Sequence, residues 1–289
     1  MSDQFEQYRT LLLAIAYRML GSAMEAEDIV QEAYLRYQAT PPDTIQSHKA
    51  FLTTIVTRLC LDQLKSARVQ RETYIGPWLP EPVLTGGDGA YLATPAAYAS
   101  QHESISMAFL VLLESLSPLE RAVFLLREVF DYDYREIAHI VDREEAACRQ
   151  LYSRAKKHIA DNRPRFEPSP EAHQRILAEF MRIVENGEIE GLVNLLAEDV
   201  TWYSDGGGKV TAATKPIHGR QAVMDFIGGL LRLKPEGTTY EVAEINGAPG
   251  IMVRVKGRLY FIVSIESDGQ QVRTIHAVAN PDKLAHLAC

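Results

Sequence analysis

Residues 115–159 read SLSPLERAVFLLREVFDYDYREIAHIVDREEAACRQLYSRAKKHI. Ser117, Pro118 and Glu120 supply an N-cap, a proline at the first helical position and a capping-box acid, so a helix starts there. Asp133 and Glu136 repeat the arrangement ahead of Ile137, Ala138 and Val141, which predicts a short helix turning near Asp142 and Arg143. A third helix follows from about Glu144. In it Ala147, Leu151, Ala155 and Ile159 recur every four residues, leaving Arg149, Gln150, Ser153, Arg154, Lys156 and Lys157 outward. A short capped helix, a tight turn and a basic helix suit a major groove and its phosphates better than a solvated bundle face.

The chain has 289 residues, 46% of them hydrophobic, which is enough for two or three domains with separate cores. Its net charge of -8 argues against tight non-specific DNA binding by the free protein. The basic residues are concentrated locally, with Arg149, Arg154, Lys156, Lys157, Arg163 and Arg165 opposed only by Asp161, so a docking partner is expected to help. Cys60, Cys148 and Cys289 lack any C-x-x-C spacing, which supports neither a zinc knuckle nor a disulfide framework. No cofactor is called for. No apolar run is long enough to span a bilayer and no signal peptide is legible, so a cytoplasmic protein without membrane contact is expected.

Upstream, Leu12, Ile15, Ala16, Met19 and Leu20 form one helical stripe and Ala26, Ile29, Val30, Ala33 and Tyr37 another. The second helix carries an acidic outer face with Glu25, Asp28, Gln31 and Glu32. After Pro41-Pro42, a helix from about His48 buries Leu52, Ile55, Val56 and Leu59 and shows Thr54, Arg58, Asp62 and Lys65 elsewhere, with Arg68 and Arg71 at its basic end.

The order AEDIVQEAYLRY, then AFLTTIVTRLCLDQLKSARVQRE, then the helix-turn-helix resembles regions two and four of bacterial extracytoplasmic-function sigma factors. That resemblance implies docking of Asp28, Gln31 and Glu32 on core RNA polymerase. It implies that a -10 promoter element is opened and read near His48, Lys49, Arg58, Asp62, Lys65, Arg68 and Arg71, and that a -35 element is read by Arg149, Ser153, Arg154 and Lys157. Promoter DNA and core polymerase are then the partners, each reader binding weakly and the polymerase holding both.

Between the helical modules runs GPWLPEPVLTGGDGAYLATP, whose prolines and glycines exclude a helix or central strand. Trp78 and Leu79, bracketed by Pro77, Pro80 and Pro82, are apolar and stiff and are expected to bind something. WLPEP resembles the linker of sigma factors with a fused C-terminal SnoaL-like domain. Asp205-Gly206-Gly207-Gly208-Lys209 and Asn280-Pro281-Asp282-Lys283-Leu284 match short motifs of the same group. In that group the fused domain acts in place of a separate anti-sigma protein. Trp78, Leu79, Pro80 and the two motifs are therefore expected at a regulatory interface, with Asp205 and Lys209 near Trp78.

After Pro168-Ser169-Pro170, helices precede strand-like runs at TYEVAEI, IMVRVKG, LYFIVSI and QVRTIHAVA, with turns at Asn246-Gly247 and Asp268-Gly269. Helices first and antiparallel strands later indicate an α+β layer that resembles the NTF2/SnoaL-like cone. The expected division is region two at 1–75, linker at 76–101, region four at 102–165 and the SnoaL-like domain at 168–289: two all-α modules followed by an α+β cone. Two rival readings differ in kind. One is a polymerase-independent, ligand-sensing helix-turn-helix regulator. The other is a cyclase or isomerase built on Asp225, His218 and His276, which show no paired acid-base spacing, so no catalytic residue is expected. Whether a ligand occupies the cone stays open.

Overall fold

The protein was analysed as a computed structural model, which describes residues 2–86, 105–162 and 169–287, with the side chains of 2–3 and 67–72 outside that description. It divides into two compact units, residues 2–73 with 109–162, and residues 74–86 with 106–108 and 169–287. The two helical modules thus share one unit, and the first half of the linker belongs with the C-terminal domain.

In the helical unit, α1 (Ser2–Leu20), α2 (Ala23–Ala39) and α3 (His48–Glu72) pack around Leu12, Ile15, Tyr17, Val30, Tyr37, Leu52 and Val56, all nearly inaccessible. Ser22 caps α2 by accepting from Glu25 N at 3.1 Å. α4 (Met107–Glu114) precedes α5 (Pro118–Phe124), which widens into a π turn over Leu125–Val129. α6 (Tyr134–Val141) and α7 (Glu145–Asn162) complete the helix-turn-helix. Capping boxes stand at Ser117–Glu120 and at Asp133–Glu136, and Asp142 makes the turn with φ 55°. Both starts and the turn lie where the sequence places them.

Hydrogen bonds among the described residues fasten the helix-turn-helix to the first three helices. Thr53 and Tyr132 share a buried hydroxyl hydrogen bond of 2.8 Å. Arg58 donates to the carbonyls of Ile140 and His139, both at 2.9 Å, at the C-terminal end of α6. Buried Arg121 donates to Met19 O at 2.7 Å and to Glu114 at 2.6 Å. Burial lowers the Arg121 pKa to about 10, which leaves it charged at neutral pH.

The C-terminal unit opens with α8 (Pro170–Asn186), capped by Ser169 and closed by Gly187 at φ 73°. A 3-10 turn and α9 (Leu192–Leu195) lead into β1 (Leu196–Asp205), then β2 (Ile217–His218), α10 (Arg220–Arg232) and β3 (Thr238–Ile245). β4 (Ala248–Val255), β5 (Arg258–Ser267), β6 (Val272–Val278) and α11 (Pro281–Leu284) follow. The sheet order is β2-β1-β6-β5-β4-β3; β1 and β6 run parallel and every other neighbouring pair is antiparallel. One sheet face wraps α8, α9 and α10 around Phe180, Leu192, Trp202, Val223, Ile251, Val263 and Ile275. This is an α+β layer with a sheet wrapping helices, as the sequence leads one to expect, with the Asn246-Gly247 and Asp268-Gly269 turns in their expected places.

Candidate nucleic-acid interface and linker clasp

Asp205 ends β1 at zero exposure, and its carboxylate is saturated by donors. Tyr74 Oη donates to Oδ1, while Leu79 N and Lys283 Nζ each reach Oδ2 at 2.7 Å. Burial first, then Asp205 itself, raises the Tyr74 phenol far above its ordinary pKa, so it stays the donor. Lys283, on α11, also donates to Leu79 O and lies 3.9 Å from the Trp78 ring centroid and 5.1 Å from that of Tyr74. An ammonium over two rings with a carboxylate and a carbonyl as acceptors is a well-compensated buried charge.

The neighbouring motif residues build the cradle. Asn280 caps α11 through Asp282 N at 3.1 Å and gives its amide to Tyr74 Oη at 2.9 Å. Its backbone N–H and that of Ala279 donate to Asp205 O. Lys209 pairs with Asp282 at the surface, Pro281 opens α11, and Leu284 is buried. Gly206 is buried, while Gly207 and Gly208 take φ 58° and 72°. A Cβ on Gly207 would stand 2.3 Å from Asn280 Nδ2 and 2.9 Å from Tyr74 Oη, so only glycine fits.

Further along, Pro80 and Val83 are buried, His286 Nε2 lies 2.9 Å from Pro82 O, and Val83 N donates to Asn246 Oδ1 at 3.2 Å. Asn246 N bonds Val83 O and Thr85 N bonds Glu244 O, so residues 83–85 add a short antiparallel pairing to the free edge of β3. The linker residues Trp78 and Leu79 thus meet both C-terminal motifs at Asp205 and Lys283, with Pro80 buried beside them in sequence. Tyr74, Thr85 and His286 complete the clasp without a signal in the sequence beyond the aromatic character of Tyr74 beside the proline run, and Asn246, expected only as a turn residue, joins them.

On α2, Asp28 and Gln31 are exposed and share one strip with exposed Met24 and Leu35, while Glu32 pairs with Arg36 at 2.8 Å. His48 Nδ1 lies 3.0 Å from Tyr37 Oη, Lys49 sits 4.9 Å over the Tyr132 ring, and Asp62 pairs with Lys65. Arg58, expected at DNA, is occupied by α6. The side chains of Arg68 and Arg71 lie outside the described residues. On α7, Arg149 pairs with Glu145, Arg154 with Glu120 and Lys156 with Glu128, while Ser153 and Lys157 are exposed.

The three candidates for an enzymatic site do not converge. Asp225 accepts from Gln221 at the surface, exposed His218 meets Thr201, and His276 is on the strand face opposite Ile275 and Ala277. Among the described residues no group of three or more His, Cys, Asp or Glu is placed to hold a metal, and no helix is long and apolar enough to cross a membrane.

Sigma-70 region 2 matches residues 4–69, and Sigma-70, region 4 matches residues 106–159. The ECF RNA polymerase sigma factor SigJ of Mycobacterium tuberculosis is 37% identical across 97% of this chain and 92% of that protein. The chain belongs to the extracytoplasmic-function RNA polymerase sigma factors. The probable ECF RNA polymerase sigma factor SigI of the same species is 28% identical over 98% of this chain and 94% of its own. The crystal structure of the M. tuberculosis SigJ superposes with a TM-score of 0.76 at 35% identity, covering 99% of this chain and 98% of that one. In this sigma factor, α1–α3 carry region two and α4–α7 carry region four.

Proposed function

We propose that the C-terminal cone regulates this sigma factor in cis by clasping the linker between its two promoter readers, in place of a separate anti-sigma protein. The protein acts in the cytoplasm with core polymerase, docked through Asp28, Gln31 and Glu32, and performs no catalysis of its own.

The supporting observation is the saturation of Asp205 by Tyr74, Leu79 and Lys283. Promoter elements at -10 and -35 lie about 25 base pairs apart, roughly 85 Å along B-form DNA. In the helical unit Thr53 of region two touches Tyr132 of region four, so the two readers are held far closer than that. Reading both elements requires separation, and separation requires linker. Residues 74–86 fully extended would contribute about 45 Å of reach. Held on the cone, they contribute much less.

Size-exclusion chromatography with core RNA polymerase tests this for the intact chain. Co-migration, reduced by Asp28→Ala with Glu32→Ala, is expected, as is stronger core binding and promoter output for Asp205→Ala at matched protein levels. Equal binding and equal output of Asp205→Ala and the native chain would refute regulation through the clasp.

A further inference from the structure

Successive residues of an α-helix advance by about 100°. On α7 the buried seam is Cys148, Ala155 and Ile159. Ala146, Gln150, Ser153 and Lys157, all exposed, fall within an arc of about 60° on the opposite side. The cations flanking this strip are held sideways. Arg149 lies 4.3 Å over the Tyr134 ring and pairs with Glu145, Arg154 pairs with Glu120 on α5, and Lys156 with Glu128 in the π turn. A groove about 12 Å wide admits the helix with its central strip towards the base edges and its flanks towards the phosphate walls.

Resting on the sigma-factor reading above, we infer that Gln150 is the specificity-determining residue of region four and reads an adenine in the -35 element, with Ala146 one turn earlier against a thymine methyl. Gln150 has a planar amide, one donor beside one acceptor, matching adenine N6 and N7. Among the described residues it has no hydrogen-bonding partner, so nothing must be broken for it to reach the groove floor. Arg149 is committed to Tyr134 and Glu145. Ser153 has a rotating hydroxyl that meets either a donor or an acceptor and discriminates poorly. Lys157, about 10 Å further along the axis, is a point charge suited to a phosphate.

The experiment is selection of transcribed promoters from a library with randomised upstream duplex, using core polymerase loaded with the full chain or with its Asp205→Ala form. Native Gln150 is expected to enrich one adenine column in the upstream element. Gln150→Ala flattens that column, removing a preference of roughly five- to a hundredfold, and leaves the others. Gln150→Glu moves the same column towards cytosine, whose N4 donates to a carboxylate, a gain that misfolding cannot mimic. Lys157→Ala lowers yield across all sequences without reshaping any column. An unchanged column in both Gln150 variants, or loss spread evenly over all columns, overturns the inference while the sigma reading stands. Failure of both the full chain and its Asp205→Ala form to enrich any paired elements overturns the sigma reading and this inference with it.

Discussion

Replacing Asp205 with alanine removes an acceptor of zero exposure that serves Tyr74 Oη, Leu79 N and Lys283 Nζ. The Lys283 side chain is 7% exposed and would lose its carboxylate while keeping its bond to Leu79 O. Removing one partner of a buried pair costs about 3–5 kcal/mol, because the other charge stays behind uncompensated. Lys283→Met deletes the opposite charge and leaves Asp205 two donors, so a smaller loss of about 2–3 kcal/mol is expected. The double variant leaves no buried charge, and its loss should fall short of the sum by at least 1 kcal/mol or so. The chain has two tryptophans, Trp78 in the clasp and Trp202 in the cone core, so fluorescence in urea reports on the C-terminal unit alone. With a denaturant slope of about 1–3 kcal/mol per M, Asp205→Ala should move the midpoint by about 1–3 M or more. In a Trp202→Phe background the Trp78 signal should change first. A midpoint within experimental error of native, or strict additivity in the double variant, would show that the clasp is a surface contact and refute the reasoning.

Gly207→Ala should lose about 2–4 kcal/mol by the same fluorescence, since it adds the strain of φ 58° to a collision with Asn280. Gly187→Ala, at φ 73° with nothing within 4 Å of its Cβ, should lose only about 1 kcal/mol. Arg58→Ala should weaken the hold of region two on α6 by about 1–3 kcal/mol, seen as faster amide exchange across residues 134–141. Unchanged exchange would return Arg58 to DNA contact alone. Burial pushes the Glu266 carboxyl up to about 7 and the His276 imidazole down to about 4, with 3.3 Å between them. Between about pH 4.5 and 6.5 the folded pair holds one proton and the unfolded chain also holds one, so stability should be flat. In His276→Gln the raised carboxyl acts alone, and its contribution, full below about pH 4.5, should fall by up to about 1.4 kcal/mol per unit as pH rises towards 7. In Glu266→Gln the depressed imidazole acts alone, and stability should fall as pH drops from about 6.5 towards 4. Parallel slopes in the two variants would contradict the compensation.

Local chemistry was legible from sequence wherever a few adjacent residues decide the outcome. The boxes at Ser117–Glu120 and Asp133–Glu136 and the turns at Asn246-Gly247 and Asp268-Gly269 each depend on a side chain or glycine within four residues. The parallel pairing of β1 with β6 is not legible, because Trp202 meets Ile275 across 72 intervening residues and no local period encodes such a register. Two-residue β2 and the π turn in α5 leave no periodic trace either. At the clasp, the motif residues were visible as types, but Tyr74 was not, since its role depends on Asp205 lying 131 positions away. At α3, Arg58 reads from sequence as a cation facing DNA, while its hydrogen bonds to the carbonyls of Ile140 and His139, more than eighty positions away, leave no local signal. A guanidinium satisfies helix-end carbonyls as well as phosphates.

The linker residues of the clasp lie 126 to 206 positions from the cone residues they bond. A ribosome adding roughly 5–20 residues per second leaves about 10–40 seconds between the emergence of Leu79 and that of Lys283. Regions two and four are both complete before the last member of the clasp has been synthesised. If the clasp restrains them as proposed, each new molecule passes through an interval in which it can meet polymerase unrestrained, and slower elongation lengthens that interval without any change in the amount of protein made.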